Sequence, residues 1–358
     1  MLATCLAQGT SGSPTVRVMS RDTQALLDTG SVVTLLRPVL AGGKAGEPME
    51  VACVHGGTRT YDTCHVVIRT PHGVFTAQAG IVPNLPVPLL IGRDCPIFRP
   101  NKVWHVDGYD KLKPFGIAIS GCIDGYSRRL MWLSSDSTNN NPAVIARYYL
   151  QCVSNCGVVP ARLRTDCGTE NGDMAAIQCS LREDHTDEFA GPLSHMYGTS
   201  TANQRIESWW SIFRKQRTQF WMDLFSDLRD RHYFNGTHEH KCLVWYVLLG
   251  IFQKELDEHR ELWNNHTIRP VRQSLCPSGK PETMYHLPHR FGGRDCGFQV
   301  DPQVLQEFKD LLPPTNSLCG DDNLQYFANL ERQSQLAPPI NWPAAVDNYL
   351  TLKEMAGL

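Results

Sequence analysis

The sequence predicts a multidomain chain, a small all-β domain followed by an α/β domain with a helical C-terminal extension. Two patterns predict it. Between residues 14 and 98, short β-branched runs broken by Gly and Pro recur at strand spacing: TVRVMS, QALLDTG, SVVTLL, MEVACV, CHVVIRT, GVFTAQAGIV and PLLIG. After residue 98 the order becomes strand-strand-strand-helix-strand-helix, which belongs to a mixed sheet with helices packed on it. At 358 residues and 42% hydrophobic, the chain is long enough to bury more than one core.

The second pattern begins with KVWHVD, FGIAISGCID and RRLMWLSS as three consecutive strands. NPAVIARYYLQCVSN then reads as a helix, with Asn141 as its cap and Pro142 at its first position. ARLRTD is a further strand, and helical periodicity dominates 202–265. CLVWYVLLGIF at 242–252 reads as a buried helix. DPQVLQEFKDLL and AAVDNYLTLKEM are short amphipathic helices between Pro-rich stretches, expected to form a loosely attached tail. The expected organisation is a flexible leader at 1–13, a β domain at 14–98, an α/β domain at 99–290 and a tail at 291–358.

Composition narrows the setting. The net charge is −2, so any nucleic-acid contact has to rest on a local basic surface. The 13 cysteines are scattered without a Cys-x-x-Cys pair, and MLATCLAQGTSGSP has no basic start or continuous apolar core. Together these predict reduced thiols in an intracellular protein, nuclear or cytoplasmic. No apolar run reaches the ~18 residues of a membrane span, so no membrane partner is expected.

Three acids stand out. Asp107 ends the alternation of KVWHVD, and Asp166 ends the strand ARLRTD just before Cys-Gly-Thr-Glu-Asn-Gly. Glu207 lies in a helix with Ile206, Trp209, Phe213 and Phe220 on one stripe and Asn203, Glu207, Arg214 and Arg217 on another. Three convergent carboxylates are hard ligands for Mg²⁺ or Mn²⁺, and a two-metal site cuts or joins phosphodiesters. Asn203, Arg214, Lys215 and Arg217 are read as nucleic-acid-binding residues that suit the neighbouring phosphates. Asp110, Asp124, Glu170 and Asp173 are read as bystanders or supports, Asp124 shaping a turn with Gly125. His238, His240 and Cys242 have no second pair at metal-ligand spacing and read as a loop entering a helix.

The segments WHVDGYD, RTDCGTENG and STANQRIESWW, in this order, resemble the integrase core of retroviruses, retrotransposons and related DNA transposons. LWNNHTIRP at 262–270 is similar to the close of that core. The resemblance covers roughly 100–270. It implies a ribonuclease-H-like fold, DNA as partner, DNA integration as activity, and Asp107, Asp166 and Glu207 as metal ligands. Asp107 would bridge two ions, with Asp166 and Glu207 each holding one. Two departures accompany it. The interval from Asp166 to Glu207 is longer than in retroviral members, with REDHTDE (182–188) as the added segment, and no His-His-Cys-Cys zinc module precedes Asp107.

ALLDTGSVVTLL places Asp28, Thr29 and Gly30 after an apolar strand, and by itself reads as a strand-terminating turn or an acid loop. With PVPLLIGRD, it resembles aspartic proteases of the retroviral type over roughly 14–98. That resemblance implies a retropepsin-like domain with Asp28 as catalytic acid, supported by Thr29 and Gly30. Such chemistry needs two carboxylates sharing a proton, and this chain supplies one loop, so a homodimer is implied. The readings that follow are a DNA nicking and strand-transfer enzyme, a dimeric peptidase, or a catalytically silent nucleic-acid- or protein-binding module.

Overall fold

The computed structural model describes residues 15–27, 33–52, 58–70, 73–91, 99–198, 203–270, 277–291, 293–314 and 321–358. The chain divides into two units, Met1–Lys102 with Asn265–Cys296, and Val103–Asn264 with Gly297–Leu358.

In the first unit, β1 (Thr15–Val18), β2 (Arg21–Leu27), β3 (Leu35–Leu36), β4 (Ala45–Ala52), β5 (Thr58–Thr70), β6 (Gly73–Ile81) and β7 (Leu89–Ile91) share one sheet. The order is β1-β2-β7-β3-β6-β5-β4. Because β1 also pairs with β5, six strands close on themselves and β4 extends one edge of β5. Period-two alternation explains why these segments are strands: in β5, Cys64, Val66 and Ile68 are buried while His65 and Arg69 are exposed. β7 is apolar throughout because it is central, parallel to β2 and antiparallel to β3, and Leu89, Leu90 and Ile91 are all buried. Each of the seven runs that read as a strand falls on one of these. Asp28, Thr29 and Gly30 lie outside the described residues, as do Gly92, Arg93 and Asp94.

The 265–296 segment is tied to residues 99–102 of the same unit. Asn101, at φ 59, donates to Asp295 Oδ1 and accepts from the Tyr285 hydroxyl, each at 2.8 Å.

The second unit is built on β8 (Val103–Tyr109), β9 (Ala118–Asp124), β10 (Leu130–Asp136), β12 (Arg162–Thr165) and β13 (His195–Tyr197), in the order β10-β9-β8-β12-β13. The first three form an antiparallel meander, and β12 and β13 are added parallel to β8. β11 (Val158–Val159) pairs separately with β14 (Phe298–Gln299). The crossover helices are α1 (Pro142–Cys156) and α2 (Gly172–Leu181). The Asn141 side chain accepts from Ala143 N and Pro142 opens α1, as the sequence predicts, and Gly157 closes it at φ 69.

The helical half runs through α3 (Gln204–Phe213), α4 (Gln219–Asp230), α5 (His238–Val247), α6 (Leu249–Asn265), α7 (Pro302–Leu311), α8 (Asp321–Ser334) and α9 (Trp342–Ala356). Two expectations are corrected here. A continuous helical projection places Phe220 on the buried stripe, but it is 42% exposed, and Trp221 at 1% takes the inward position. The cause is a π-helical turn at Arg214–Thr218 between α3 and α4, which delays the helical phase by about one residue. The tail is also not loose. Phe327 and Leu330 of α8 and Ala345, Tyr349 and Leu352 of α9 are buried in one cluster with Trp209, Phe213, Trp221, Phe225 and Phe252. α8 is not among the elements expected from the sequence, and it supplies the face on which α9 closes. Among the described residues, no helix is long and apolar enough to cross a membrane.

Candidate active site

Alternation along β8 buries Trp104 and Val106 on one face and points His105, Asp107 and Tyr109 to the other. That second face is covered by α3. The ring of Tyr109 lies 5.1 Å from that of Trp210 and 5.8 Å from that of Phe213. Asp107 is therefore half-buried under an aromatic lid, and Trp210 Nε1 donates to Asp107 Oδ2 at 3.0 Å. Gly121, the residue opposite Asp107 on β9, leaves the room for this. A Cβ there would stand 2.8 Å from Trp210 Cη2.

Asp166 follows β12 directly. The register pairs Arg164 with His105, so continuing it by two residues sets Asp166 alongside Asp107. Asp166 Oδ1 accepts from Gly168 N at 3.1 Å and from the buried Asn171 amide, Nδ2, at 2.9 Å, and a Cβ on Gly168 would clash with Glu170 Oε1.

Glu207 sits in the first turn of α3, where the helix dipole favours an acid. What aims it is Asn203. Expected among the phosphate-contacting residues, Asn203 is instead 1% exposed with its side chain engaged inside the protein. Its Nδ2 donates to Val106 O and its Oδ1 accepts from His105 Nδ1, both at 2.8 Å. The side chain does not cap its own helix. It fastens the start of α3 to the two residues that precede Asp107.

Electrostatics link the three acids. The Asp107 carboxyl is pushed up to about 7, first by burial and then by the neighbouring charge of Glu207, with a smaller push from Asp166; the Trp210 and Gly108 N–H groups hold the rise back. Among the described residues, no three His, Cys, Asp or Glu side chains, the triad included, are drawn tightly enough to hold a metal ion as they stand. The donor set nonetheless fits a hard divalent cation: it is all carboxylate, and Asp107 is a half-buried acid whose charge is opposed by two like neighbours.

The other acids have separate occupations. Asp110 pairs with Lys113 and accepts from Asn139, Glu170 accepts from Asn171, and buried Asp124 accepts from the N–H and hydroxyl of Ser127 in the turn after β9. His238 begins α5 rather than a metal loop; its Nε2 lies 3.3 Å from Cys242 Sγ, while buried His240 bonds the Tyr349 hydroxyl. Arg214 and Lys215 are exposed and Arg217 is partly buried, all within the π-helical turn.

The integrase core domain model matches residues 96–279, just over half of the chain. The chain belongs to the integrase core domain family. Curated proteins give no sequence match. The match supports a mobile-element integrase-like function and spans all three acids of the triad. It does not extend over the β-sheet unit preceding residue 96. Two residues packed against the candidate site escape a reading of the sequence, Trp210 and Gly121. Trp210 belongs to neither stripe of the helix as read from the sequence, and the available signal is that a buried indole N–H requires an acceptor. Gly121 gives no signal, because its partner is 89 positions away in the chain.

Proposed function

We propose that this integrase core nicks DNA and transfers strands at Asp107, Asp166 and Glu207. The observation that supports it most is the convergence of three elements. Asp166 continues the strand paired with β8, and Glu207 rides a helix fastened to that same strand by Asn203. Asp107, Asp166 and Glu207 would hold Mg²⁺ or Mn²⁺; when bound, a pair of such ions activates the attacking water or 3′-hydroxyl and stabilises the leaving oxygen. The protein's own work is positioning. Gly168 and Asn171 fix Asp166, Trp210 fixes Asp107, and Asn203 fixes the helix that presents Glu207. Arg214, Lys215 and Arg217, about two turns and more beyond Glu207, would meet the DNA backbone. The test is a nicking and strand-transfer assay with Mn²⁺, with Asp166→Asn as control. DNA binding without nicking by the wild-type protein would favour the silent binding module.

A second reading concerns the first unit. β2 ends at Leu27, immediately before Asp28, and runs parallel to β7, which ends immediately before Gly92. This pairing supports the retropepsin-like reading, because it aligns the strands that lead into the acid loop and the Gly-Arg segment. Peptide cleavage would then require a homodimer, each copy giving one Asp28. Asp28-dependent cleavage by a strictly monomeric preparation would refute it.

A further inference from the structure

Glu207 lies between two bonds that tie its helix to β8. Four residues before it, Asn203 holds Val106 and His105; three residues after it, Trp210 holds Asp107. The three partners are consecutive on the strand, and the two anchors are seven residues apart on the helix, about two turns. A helix tied at two points two turns apart can neither slide nor roll on the strand. We propose that Trp210 is a positioning residue, whose indole N–H fixes the Asp107 carboxylate and, together with Asn203, clamps α3 on β8 so that Glu207 faces Asp107 before any cation arrives. This rests on the reading of the triad as a divalent-metal site.

The indole is placed by shape as well as by its hydrogen bond. Trp210 is 4% exposed, packed at tilted angles among Tyr109, Trp209 and Phe213, with its six-membered ring against the backbone of Gly121. A Cβ on Gly121 would reach 2.8 Å from Cη2 and 3.0 Å from Cζ2, both atoms of that ring. The Gly121→Ala substitution therefore has to move the indole, and with it the donor to Asp107. Trp210→Phe removes both the N–H and the bulk of the fused ring, so it also makes room for a methyl group on Gly121. The pair separates hydrogen bonding from packing.

The experiment measures Mn²⁺ binding to the full chain by the electron paramagnetic resonance of free Mn²⁺, alongside the thermal midpoint of the chelated protein. Wild type, Asp107→Asn, Trp210→Phe, Gly121→Ala and the Gly121→Ala/Trp210→Phe double variant are compared. Trp210→Phe and Gly121→Ala are each expected to bind Mn²⁺ about tenfold or more weakly, the usual effect of losing a partner behind a metal ligand. In the double variant the midpoint should recover from that of Gly121→Ala while Mn²⁺ affinity stays low. Wild-type affinity in Trp210→Phe would overturn the proposal. So would joint recovery of midpoint and affinity in the double variant, since packing alone would then suffice. A wild-type protein that binds Mn²⁺ no better than Asp107→Asn would instead refute the metal site itself, and the proposal with it.

Discussion

The two units of this chain organise their sheets by different means. In the first, six strands close on one another, so backbone pairing satisfies the edges and alternating aliphatics fill the inside. In the second, the sheet stays open and side chains do the closing. Gln253 of α6 accepts from Ser135 N and donates to Leu133 O, and Asn264, three turns on, does the same for Leu130 N and O. Two amides thus stand in for a neighbouring strand along β10. The active-site face follows the same rule, with Asn203 and Trp210 reaching β8 from about a hundred residues away. A closed sheet is specified by local pattern, whereas an open sheet with a site on it depends on a few long-range polar contacts. The second unit should therefore be the more sensitive to single side chains.

The sharpest break of that comparison lies in the triad. Substitution of Asp107, Asp166 or Glu207 by its amide is expected to reduce Mn²⁺-dependent nicking at least a hundredfold, roughly the weight of a group acting in the transition state. Double substitutions should lose little more than single ones, because any one loss disables the same site. Additive losses, read from single-turnover rates, would show that the three acids act separately.

Ion pairs extend the comparison to stability. Arg17 and Asp22 face each other across β1 and β2 with side chains more than half exposed, and Asp22→Asn should leave the denaturation midpoint unchanged. Arg182, by contrast, is fully buried at the end of α2, bonded to Asp187, with its guanidinium 3.5 Å over the Phe298 ring. Its Nε and Nη1 have no hydrogen-bond partner among the described residues, so its contribution comes from packing and from the ring as much as from the ion pair. Arg182→Ala is expected to cost about 3 kcal/mol by urea denaturation, through cavity formation and the lost cation–π contact. Arg182→Met should cost less than about 1 kcal/mol if packing dominates, since methionine covers the same ring. Equal losses in the two variants would assign the effect to the charge.

Arg182 also marks where sequence reading stops. The 182–188 segment reads as an addition because the interval from Asp166 to Glu207 is long, and its mostly charged residues give no sign of burial, yet Arg182 is the buried centre around which it folds; Gly191 N returns to Arg182 O. Charge pattern cannot tell a solvated arginine from one covered by a strand 116 residues later. The seven strands of the first unit are legible because short apolar, β-branched runs broken by Gly and Pro are a local signal. The acids of the second unit are legible because each lies in or directly beside an element whose type is locally encoded, Asp107 within β8, Asp166 after β12 and Glu207 in the first turn of α3. Asn203 is visible in the sequence but takes the wrong role there, for its spacing from Glu207 suggests a shared helix face while its partners lie on β8. Phe220 fails for a different reason: five residues of π-helical turn have no distinctive composition, and a helix projection carried across them loses phase.

Asp107 sharpens the comparison through pH. The folded protein holds this proton up to about 7, whereas the unfolded chain releases it near ~3.9. Between those values the folded state binds more protons, so stability falls as pH rises through the window and levels off above it. In chelated protein this contribution should be on the order of a few kcal/mol, absent from Asp107→Asn and removed by Mn²⁺. Urea denaturation at pH 5 and pH 8 measures it. A wild-type protein with the same pH profile as Asp107→Asn would mean that the carboxyl is already relieved without a cation.

The smallest expected effect concerns the cations beyond the site. With a net charge of −2, the chain offers DNA no general attraction, so affinity has to come from a local patch. Arg214, Lys215 and Arg217 occupy the π-helical turn that follows the Glu207 helix, and the turn's wider winding rotates Arg217 away from where a continuous α-helix would set it. Arg214 and Lys215 are exposed while Arg217 is partly buried, so the three are not equivalent. Replacing Arg214 or Lys215 with Ala should weaken binding to unrelated duplexes alike and flatten the slope of log K against log salt by about 0.9 per lost phosphate contact. Arg217→Ala should change the slope less, because part of its side chain packs against the protein. Fluorescence anisotropy across a salt series measures both. Equal slopes in all variants would make the turn a solvated surface, and DNA contacts would then have to be sought on the sheet side of the triad, where Arg164 stands two residues before Asp166 on the same face.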